Sequence, residues 1–476
     1  MAAPNGKYFI QEKLKTPAAH HESFAKLWET KWKKPAEMGV YPFMFGTAKD
    51  FEPIVEEMTR LPSPTHHPLP KVVHDGVDSQ HSPQLDMREP YDWDAYASVF
   101  RPQAEALTRI AEEAEAGGER EKASEYYLRA SAVWRISRFP APRSEKQLYA
   151  WEEGKKVCLK GLQLREHPVQ EVLIPHKHGI EGEGSHVPVY HLLPEGASKE
   201  NPAPVVVIIT GLDGYRTELA VWMEGWRQQG VGTVVVEIPG TADSPALRED
   251  PLSPDRQWSS LLDWVDEQEA IDHQRVAVWA FSTGGFYAIR LAYTHPNRVA
   301  GIVSLGGGCH HMFDKEWLDE VNHLEYPFEY PNQPFACPTE AYGLAKTESK
   351  GNLQCLWLTQ NSEANSLAYK FGYGDDVEKF KTEAHRYSLL NDGTLDKPEC
   401  TRLLLVNGTE DEIFPIDDYY VALQHGPPKE ARFIPGIKHM GEPESFFVIM
   451  NWIYKLFGIK GDAGQQLSTM PFKPKY

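Results

Sequence analysis

Hydrophobic positions follow a helical period in the first third of the chain. Between residues 103 and 161 apolar side chains recur every three or four positions, with a break at Gly117. This spacing is typical of helices with one buried face. It predicts a helical hairpin and then a third helix over about 144–162. Short helices are also expected between residues 7 and 60, so residues 1–165 are predicted to form a mostly helical N-terminal region.

The segment 61–87 has no periodic apolar face. Five prolines and four histidines alternate within it. Prolines interrupt regular structure, so an irregular, exposed loop rich in proline and histidine is expected. The alternative is a metal site, which is the weaker interpretation because the histidines lack the spacing of ligands on a helix or strand.

After residue 166 the hydrophobic period changes to two. Segments 169–174 and 187–193 alternate apolar and polar positions, which predicts an antiparallel pair at a sheet edge. Short runs that are apolar on both faces follow, separated by helical patterns, as in a parallel sheet covered by helices on both sides. These runs are 205–209, 234–236, 276–281, 302–305 and 403–406. An α/β domain is therefore expected over 166–460, followed by a C-terminal tail over 461–476.

One stretch interrupts the alternation of strands and helices. Residues from about 330 to 361 contain three prolines and two cysteines and have little periodicity. We expect this stretch to belong to a helical cap insertion over the active site, spanning about 309–395. The alternative is that it and the 61–87 segment are intervening sequence left in the gene model.

The amino-acid composition of the chain excludes some classes of binding partner. The 476 residues include 49 basic and 68 acidic side chains, a formal net charge of −19. Neither nucleic acid nor an anionic membrane surface is attracted to such a body. The five cysteines are scattered without a C-x-x-C pair, which favours a reducing compartment. No apolar run approaches the ~18 residues of a membrane span, so we expect a cytoplasmic protein without stable membrane insertion, with endosomal association as the alternative.

The first chemical motif lies directly after a predicted strand. Residues 280–285 read AFSTGG and precede a helical stretch. They match the nucleophile elbow G-x-S-x-G, with Ala280 in the first glycine position. A serine on so tight a turn needs small neighbours, and the following helix N-terminus favours negative charge. Ser282 is therefore the candidate nucleophile, the alternative being a serine in an ordinary glycine-rich loop.

Two later loops supply the other groups of a catalytic triad. Asp411 follows a predicted strand and is our candidate for the acid that orients a base histidine, with Glu410 and Glu412 as alternatives. His439 follows another strand and precedes an apolar helix. The chain order Ser282, Asp411, His439 is that of an α/β-hydrolase. The competing interpretation is three unrelated polar loops.

A glycine-rich loop after an earlier strand is expected to complete the site. An oxyanion hole needs the N–H of the residue after the nucleophile, Thr283, and a second N–H from such a loop. Leu212 is the candidate second donor. Asp213 is either a substrate contact or a turn former, and Gly214 lets the backbone approach a substrate.

The motifs together resemble fungal yellowish-green-type hydrolases, which shorten polyketide chains on the way to dihydroxynaphthalene melanin and conidial pigment. The resemblance covers most of the chain from Glu89 onward, within a wider group of α/β-hydrolases that have an N-terminal helical region. Its motifs are GLDGYRT at 211–217, EIPG at 237–240, FSTGG at 281–285, GGGCHHMF at 306–313, NGTEDEIFP at 407–415 and KHMGEPE at 438–444, besides the helical ASEYYLRA at 123–130.

The resemblance implies hydrolysis of a carbon–carbon bond in an acylated aromatic polyketide. The substrate would be a heptaketide naphthopyrone or acetylated tetrahydroxynaphthalene, and the products 1,3,6,8-tetrahydroxynaphthalene and a short acid. No metal or organic cofactor is required. His310 and His311 are then either substrate contacts or caps of the first cap helix.

Two other functions fit the same motifs. An esterase, lactonase or acyltransferase of another secondary pathway would share the first catalytic step. A noncatalytic binding protein on the same fold is the third hypothesis, suggested by Ala280 and the insertion. A homodimer through the N-terminal helices is a further expectation.

Overall fold

The computed structural model describes residues 24–60, 93–321 and 362–468. The predicted loop at 61–87 and the interrupted stretch at about 330–361 lie outside these ranges. Within them the chain forms an eight-stranded sheet with the order β1-β2-β4-β3-β5-β6-β7-β8. The strands are Gln170–Pro175 (β1), His186–Leu192 (β2), Ala203–Ile209 (β3), Gly232–Val236 (β4), Ile271–Phe281 (β5), Gly301–Leu305 (β6), Leu403–Gly408 (β7) and Glu430–Ile434 (β8).

The sheet is parallel except at one edge. β1 pairs antiparallel with β2, and β2 pairs antiparallel with β4. All the remaining neighbours, from β4 across to β8, are parallel. The predicted antiparallel edge pair and parallel sheet are therefore confirmed.

Helices cover both faces of the sheet. Along β3, Val205 and Val207 pack in the same hydrophobic core as Trp258, whereas Val206 packs on the opposite face with Trp226. This alternation explains why the strand sequences are apolar at every position. Outside the cap, the α-helices are Phe24–Leu27, Lys33–Met38, Ala48–Arg60, Trp93–Ala116, Arg120–Arg138, Glu145–Gln163, Arg216–Leu219, Met223–Gln228, Ser253–Glu267, Thr283–Thr294, Asp417–Gln424, Glu444–Phe457 and Ala463–Ser468.

The N-terminal helices have a hydrophobic core of their own. The predicted hairpin consists of Trp93–Ala116 and Arg120–Arg138, joined by a turn in which Gly118 has a φ of +78°. The next helix begins after Ser144, whose side chain accepts a hydrogen bond from the N–H of Gln147 at 3.3 Å. The side chain of Gln147 bonds back to the Ser144 backbone, so this pair forms a capping box that sets the helix start.

A buried arginine joins the N-terminal region to the sheet domain. Arg138 donates to Glu218 at 2.8 Å and to the backbone oxygen of Asp213 at 2.9 Å. Asp213 belongs to the loop that carries the expected oxyanion donor. The N-terminal helices therefore help to fix the position of that loop.

Cap helices lie between β6 and β7. Those described are Lys315–Glu320, Ser362–Lys370 and Val377–Glu383, with 3-10 turns at His311–Phe313, Ala384–Tyr387 and Thr394–Asp396. Aromatic rings join them, with Phe371 and Tyr387 centroids 4.3 Å apart and Phe313 and Phe371 centroids 5.7 Å apart. The cap thus contains an aromatic core that continues into the core of the sheet domain.

The expected C-terminal tail begins with the packed helix Ala463–Ser468, in which Leu467 is buried against the sheet domain. None of the described helices has the length and apolar character needed to cross a membrane. Cys158, Cys309 and Cys400 are free thiols.

Candidate active site

The parallel sheet brings three polar loops to one edge. β5 ends at Phe281 directly before Ser282, β7 ends shortly before Asp411, and β8 ends shortly before His439. The carboxyl ends of parallel strands point the same way, so the loops that follow them meet at the same edge. The residues predicted from separate parts of the chain are therefore neighbours.

Ser282 lies on a strained turn between strand and helix. Its φ is +54° and its ψ is −125°, a conformation that residues with side chains rarely adopt. Its N–H donates to the carbonyl of Leu305 at 2.7 Å, and its own carbonyl accepts from Gly285 at 2.7 Å. These bonds hold the turn and leave the side chain partly exposed.

Small residues around Ser282 are required by close packing of the backbone. A β-carbon on Gly284 would lie 2.3 Å from the carbonyl oxygen of Thr210, too close for any side chain. Ala280, by contrast, is fully buried in the core, where its methyl group is accommodated. The departure from glycine at the first position of the motif is therefore compatible with the elbow.

His439 bridges the serine and the acid. Its Nε2 lies 2.9 Å from Ser282 Oγ, and its Nδ1 lies 2.9 Å from Asp411 Oδ2. Asp411 is fully buried, while 16% of the His439 side chain is exposed. This geometry allows the histidine to accept the serine proton while the carboxylate stabilises the resulting imidazolium.

Backbone and side-chain donors hold the Asp411 carboxylate in place. Its Oδ1 accepts from the N–H groups of Ile413 at 2.8 Å and Phe414 at 3.2 Å. Its Oδ2 accepts from the side chain of Asn407 at 2.7 Å. The neighbouring acid Glu412 instead pairs with Lys438 at 2.9 Å near the surface. Of these two acids, Asp411 is the one that contacts the histidine.

Asn407 is a site residue to which the sequence analysis assigned no role. Its side-chain oxygen accepts from the N–H groups of Gly408 at 2.8 Å and Met440 at 2.9 Å. It therefore links the loop of the acid to the loop of the histidine. The available signal was a polar residue at the end of an otherwise apolar strand.

The surroundings of His439 raise its pKa. Burial by itself lowers the pKa of an imidazole, but the attraction and hydrogen bond of Asp411 outweigh it. The carboxylates of Glu363 and Glu442 add to the increase. These carboxylates therefore stabilise the protonated form of His439.

The expected oxyanion donors lie beside the serine. A β-carbon on Gly211 would lie 3.4 Å from Ser282 Cβ, so the loop that carries Leu212 packs against the elbow. In the described ranges, no acceptor is found for the N–H of Leu212 or of Thr283. Both N–H groups are thus available for a substrate oxygen.

Asp213 and Gly214 face the N-terminal region. The Asp213 carboxylate lies near Tyr41 and Arg135, and its negative charge contributes to the raised pKa of Tyr41, whose largest cause is burial. A β-carbon on Gly214 would lie 3.5 Å from the Tyr41 ring. These contacts fix the oxyanion loop, and they do not assign Asp213 to substrate.

His310 and His311 bond to groups of the cap. His310 Nδ1 lies 2.7 Å from Ser388 Oγ, and His311 Nδ1 lies 2.8 Å from Asp314 Oδ2. The ligand atoms of His310, His311 and Asp314 lie within 4.8 Å of one another, the one such group that could hold a metal in the ranges described. The backbone N–H groups of both histidines donate to Asp418, at 2.8 and 2.6 Å. His310 precedes the 3-10 turn His311–Phe313 without a side-chain cap hydrogen bond, so these bonds decide for neither of the two roles expected from the sequence.

Comparisons with known proteins agree with this architecture. A family model described as Esterase FrsA-like matches residues 91–324. The α/β hydrolase xenA of Xenoacremonium sinensis is 30% identical over 344 residues, which cover 68% of this chain and 75% of xenA. The chain belongs to the α/β-hydrolase family. Its relatives are named as hydrolases or esterases, which supports a hydrolase of this family.

Other relatives match shorter parts of the chain. Hydrolase acrC of Aspergillus aculeatus is 31% identical over 242 residues, 47% of this chain and 55% of acrC. Esterase FrsA of Photobacterium profundum is 23% identical over 226 residues, 47% of this chain and 49% of that protein. The chain thus spans about half the length of these two relatives.

Solved structures show the same fold. The 2,6-dihydroxy-pseudo-oxynicotine hydrolase aligns with a TM-score of 0.57 at 19% identity, covering 79% of this chain and 93% of that one. AbyA5 aligns with a TM-score of 0.54 at 19% identity, covering 77% and 91%. The predicted α/β-hydrolase fold is confirmed.

Proposed function

We propose that this protein is a serine-dependent hydrolase that cleaves a carbon–carbon bond in an acylated aromatic polyketide. The observation that carries the proposal is the continuous hydrogen-bonded chain from Ser282 through His439 to Asp411, with 2.9 Å at each step. The products would be 1,3,6,8-tetrahydroxynaphthalene and a short acid.

The first half of the reaction forms an acyl-enzyme. His439 takes the proton of Ser282, whose Oγ attacks the carbonyl carbon of the acyl side chain. The N–H groups of Leu212 and Thr283 stabilise the oxyanion. Because these donors are fixed by the protein backbone, they need no reorganisation when the charge develops.

In the second half of the reaction the carbon–carbon bond breaks and the acid is released. The tetrahedral intermediate collapses, and the electron pair of the broken bond passes to the ring carbon, where the 1,3-dicarbonyl arrangement delocalises it. The His439 imidazolium protonates that carbon. Water, activated by the same histidine, then attacks the acyl group on Ser282 and releases the acid. Each step uses protein groups and water alone.

The choice of substrate rests on the motifs. The segments around Ser282, Asp411 and His439, and the GGGCHHMF segment at 306–313, resemble polyketide-shortening hydrolases. Two of the relatives, xenA and acrC, are named as hydrolases from fungi. Their names do not say which bond is cleaved. They therefore support a hydrolase that is related to fungal enzymes.

An esterase is the second candidate. The Esterase FrsA-like match over residues 91–324 favours it, and ester cleavage begins with the same attack by serine. A lactonase or an acyltransferase would use the same acyl-enzyme. The candidates differ in the group that leaves, and so only substrate comparison separates them.

The test is incubation with a heptaketide naphthopyrone, followed by liquid chromatography with mass detection. The purified protein is compared with Ser282→Ala, and p-nitrophenyl acetate serves as an ester control. We expect tetrahydroxynaphthalene from the wild type alone. If the wild type reacts with an organophosphonate and hydrolyses the ester but leaves the naphthopyrone unchanged, the esterase replaces the present proposal.

A further inference from the structure

Two basic side chains converge beside the oxyanion loop without an acidic partner. Lys370, at the end of the cap helix Ser362–Lys370, is 2% exposed and donates a hydrogen bond to the hydroxyl of Tyr287. The guanidinium of Arg248 lies 4.7 Å from the ring centroid of Tyr369. Among the residues described, neither Lys370 nor Arg248 forms an ion pair, and the charge that acts on the Lys370 amine is that of Arg248.

This arrangement differs from that of other buried cations in the protein. Lys381, also in the cap and 3% exposed, pairs with Asp319 and with Glu378, each at 3.1 Å. Buried charges are ordinarily paired in this way because the loss of hydration is costly. At Lys370 the burial and the nearby Arg248 hold the pKa well below its usual value instead. This environment disfavours the charged amine, and an anion that entered the cavity would reverse the effect by pairing with the protonated Lys370.

The two side chains line a cavity that borders the loop of Leu212. Its volume is about 120 Å³, and its walls include Leu212 and Thr241 as well as Arg248 and Lys370. The backbone N–H of Leu212 is the expected oxyanion donor. Tyr287, the partner of Lys370, follows Ser282 by five residues on the helix Thr283–Thr294. That spacing corresponds to roughly 7.5 Å along a helix axis.

The acids along this cavity are already engaged. Asp243 accepts from Trp151, Lys155 and Arg216 at 2.9 Å each. Glu152 pairs with Lys155 at 2.9 Å. These carboxylates therefore pair with Lys155 and Arg216, and neither of them pairs with Lys370 or Arg248.

We propose that Lys370 and Arg248 form a binding subsite for an anionic oxygen of the substrate, namely the enolate or phenolate oxygen of the ring that leaves when the carbon–carbon bond breaks. The proposal rests on the proposed function and specifies how the leaving group is stabilised. A protein with a net charge of −19 would otherwise repel such an anion.

The subsite acts at the step that distinguishes carbon–carbon cleavage from ester cleavage. When the bond between the acyl carbon and the ring carbon breaks, its electron pair delocalises from the ring carbon onto the neighbouring oxygen. Lys370 and Arg248 stabilise this oxygen until the His439 imidazolium delivers its proton to the ring carbon. A p-nitrophenolate leaves an ester as a stable anion, and its departure depends much less on such help.

The kinetic test compares the two reactions in charge-removing variants. In Lys370→Met, kcat/KM for naphthopyrone cleavage should fall by roughly 100-fold or more, as when one oxyanion donor is removed. The fall for p-nitrophenyl acetate should be much smaller. Arg248→Met, at a half-buried position, is the second variant and tests the subsite should Lys370→Met not fold. Lys381→Met removes an equally buried but paired cap lysine and should alter neither reaction.

A binding measurement separates this proposal from the proposed function. Calorimetric titration uses 2-acetyl-1,3-cyclohexanedione, an acidic triketone whose enolate mimics the leaving ring. We expect the Kd to weaken at least about tenfold in Lys370→Met, with Lys381→Met like the wild type. This result would support the subsite even if the wild type leaves the naphthopyrone intact, an outcome that would defeat the proposed function alone. Equal binding by all variants, or equal kinetic losses for both substrates in Lys370→Met, would overturn the subsite.

Discussion

Asn407 donates a hydrogen bond to Asp411 at 2.7 Å, at the same carboxylate oxygen that contacts His439. Its own side-chain oxygen accepts two backbone N–H groups, one of them from Met440 beside that histidine. One buried amide therefore sets the distance between the two loops that carry the acid and the base. Asn407 is therefore a positioning residue, since it acts on His439 through Asp411 and through the backbone of Met440.

Replacement of Asn407 by alanine should weaken both the fold and the reaction. The variant leaves the N–H groups of Gly408 and Met440 without their acceptor, and each buried unsatisfied group costs about 1–3 kcal/mol. We expect the free energy of unfolding in urea to fall by about 3 kcal/mol. Asn451→Ala, at a half-buried helical position where the amide donates to the carbonyl of Phe447, is the control. Equal stability of the two variants would refute the linking role.

The pH dependence of the reaction should follow His439. The base must be neutral to accept the serine proton, and its pKa is raised above 6.5 by Asp411. Activity should therefore be low below this pKa and should rise as the pH passes through it. In Asp411→Asn the charge is lost, so the rising limb should move to lower pH, and kcat should fall on the order of 10⁴-fold.

The measurement is kcat/KM for an activated ester across pH 5 to 9, spanning the interval around ~6.5 in which an unperturbed histidine titrates. Glu412→Gln is the matched control, because Glu412 pairs with Lys438 near the surface. If the rising limb of the pH profile shifted in Glu412→Gln and stayed in place in Asp411→Asn, the acid would have been assigned wrongly.

Gly284→Ala should damage the nucleophile turn. The new β-carbon would lie 2.3 Å from the Thr210 carbonyl oxygen, and a backbone atom cannot move aside at low cost. Overpacking of this kind costs about 1–3 kcal/mol, and labelling of Ser282 by an organophosphonate should slow. Gly117→Ala, whose nearest contact would be an ordinary 3.4 Å, should change neither the melting temperature nor the labelling rate.

Arg138→Met should loosen the oxyanion loop from the N-terminal helices. The variant leaves Glu218 buried with a weaker partner, Arg135 at 3.4 Å. Loss of one partner of a buried pair costs about 3–5 kcal/mol. Chemical denaturation should show this loss, whereas Arg101→Met, which removes an exposed pair with Glu105, should cost less than about 1 kcal/mol.

The parts of the fold that could be predicted from sequence are those with local signals. The strands are short and apolar, the hairpin has a 3.6-residue period, and the elbow around Ser282 has a compact motif. The cap stretch at about 330–361 has no such signal. The sequence requires one of three adjacent acids to face inward, and Asp411 is the one that we predict. The hydrogen bond between His439 and Asp411 agrees with that choice.

The residues that sequence reasoning missed act through distant contacts. Lys370 meets Tyr287 across 83 positions, and Arg248 meets Tyr369 across 121 positions. Lys370 lies in a helix of mixed composition, where a lysine ordinarily faces solvent. Its burial depends on how the cap packs against the nucleophile helix, and no local pattern encodes that packing.

The bond from Arg138 to the oxyanion loop also constrains how relatives of this enzyme can exchange parts. An N-terminal segment taken from another member brings its own arginine position and helix geometry, and the recipient loop at 211–218 must match both. Chimeras that transfer the helices without the loop should therefore be poor enzymes, whereas those that move the two together retain a working junction. We therefore expect the N-terminal helices and the 211–218 loop to be inherited together, although they are separated in the sequence.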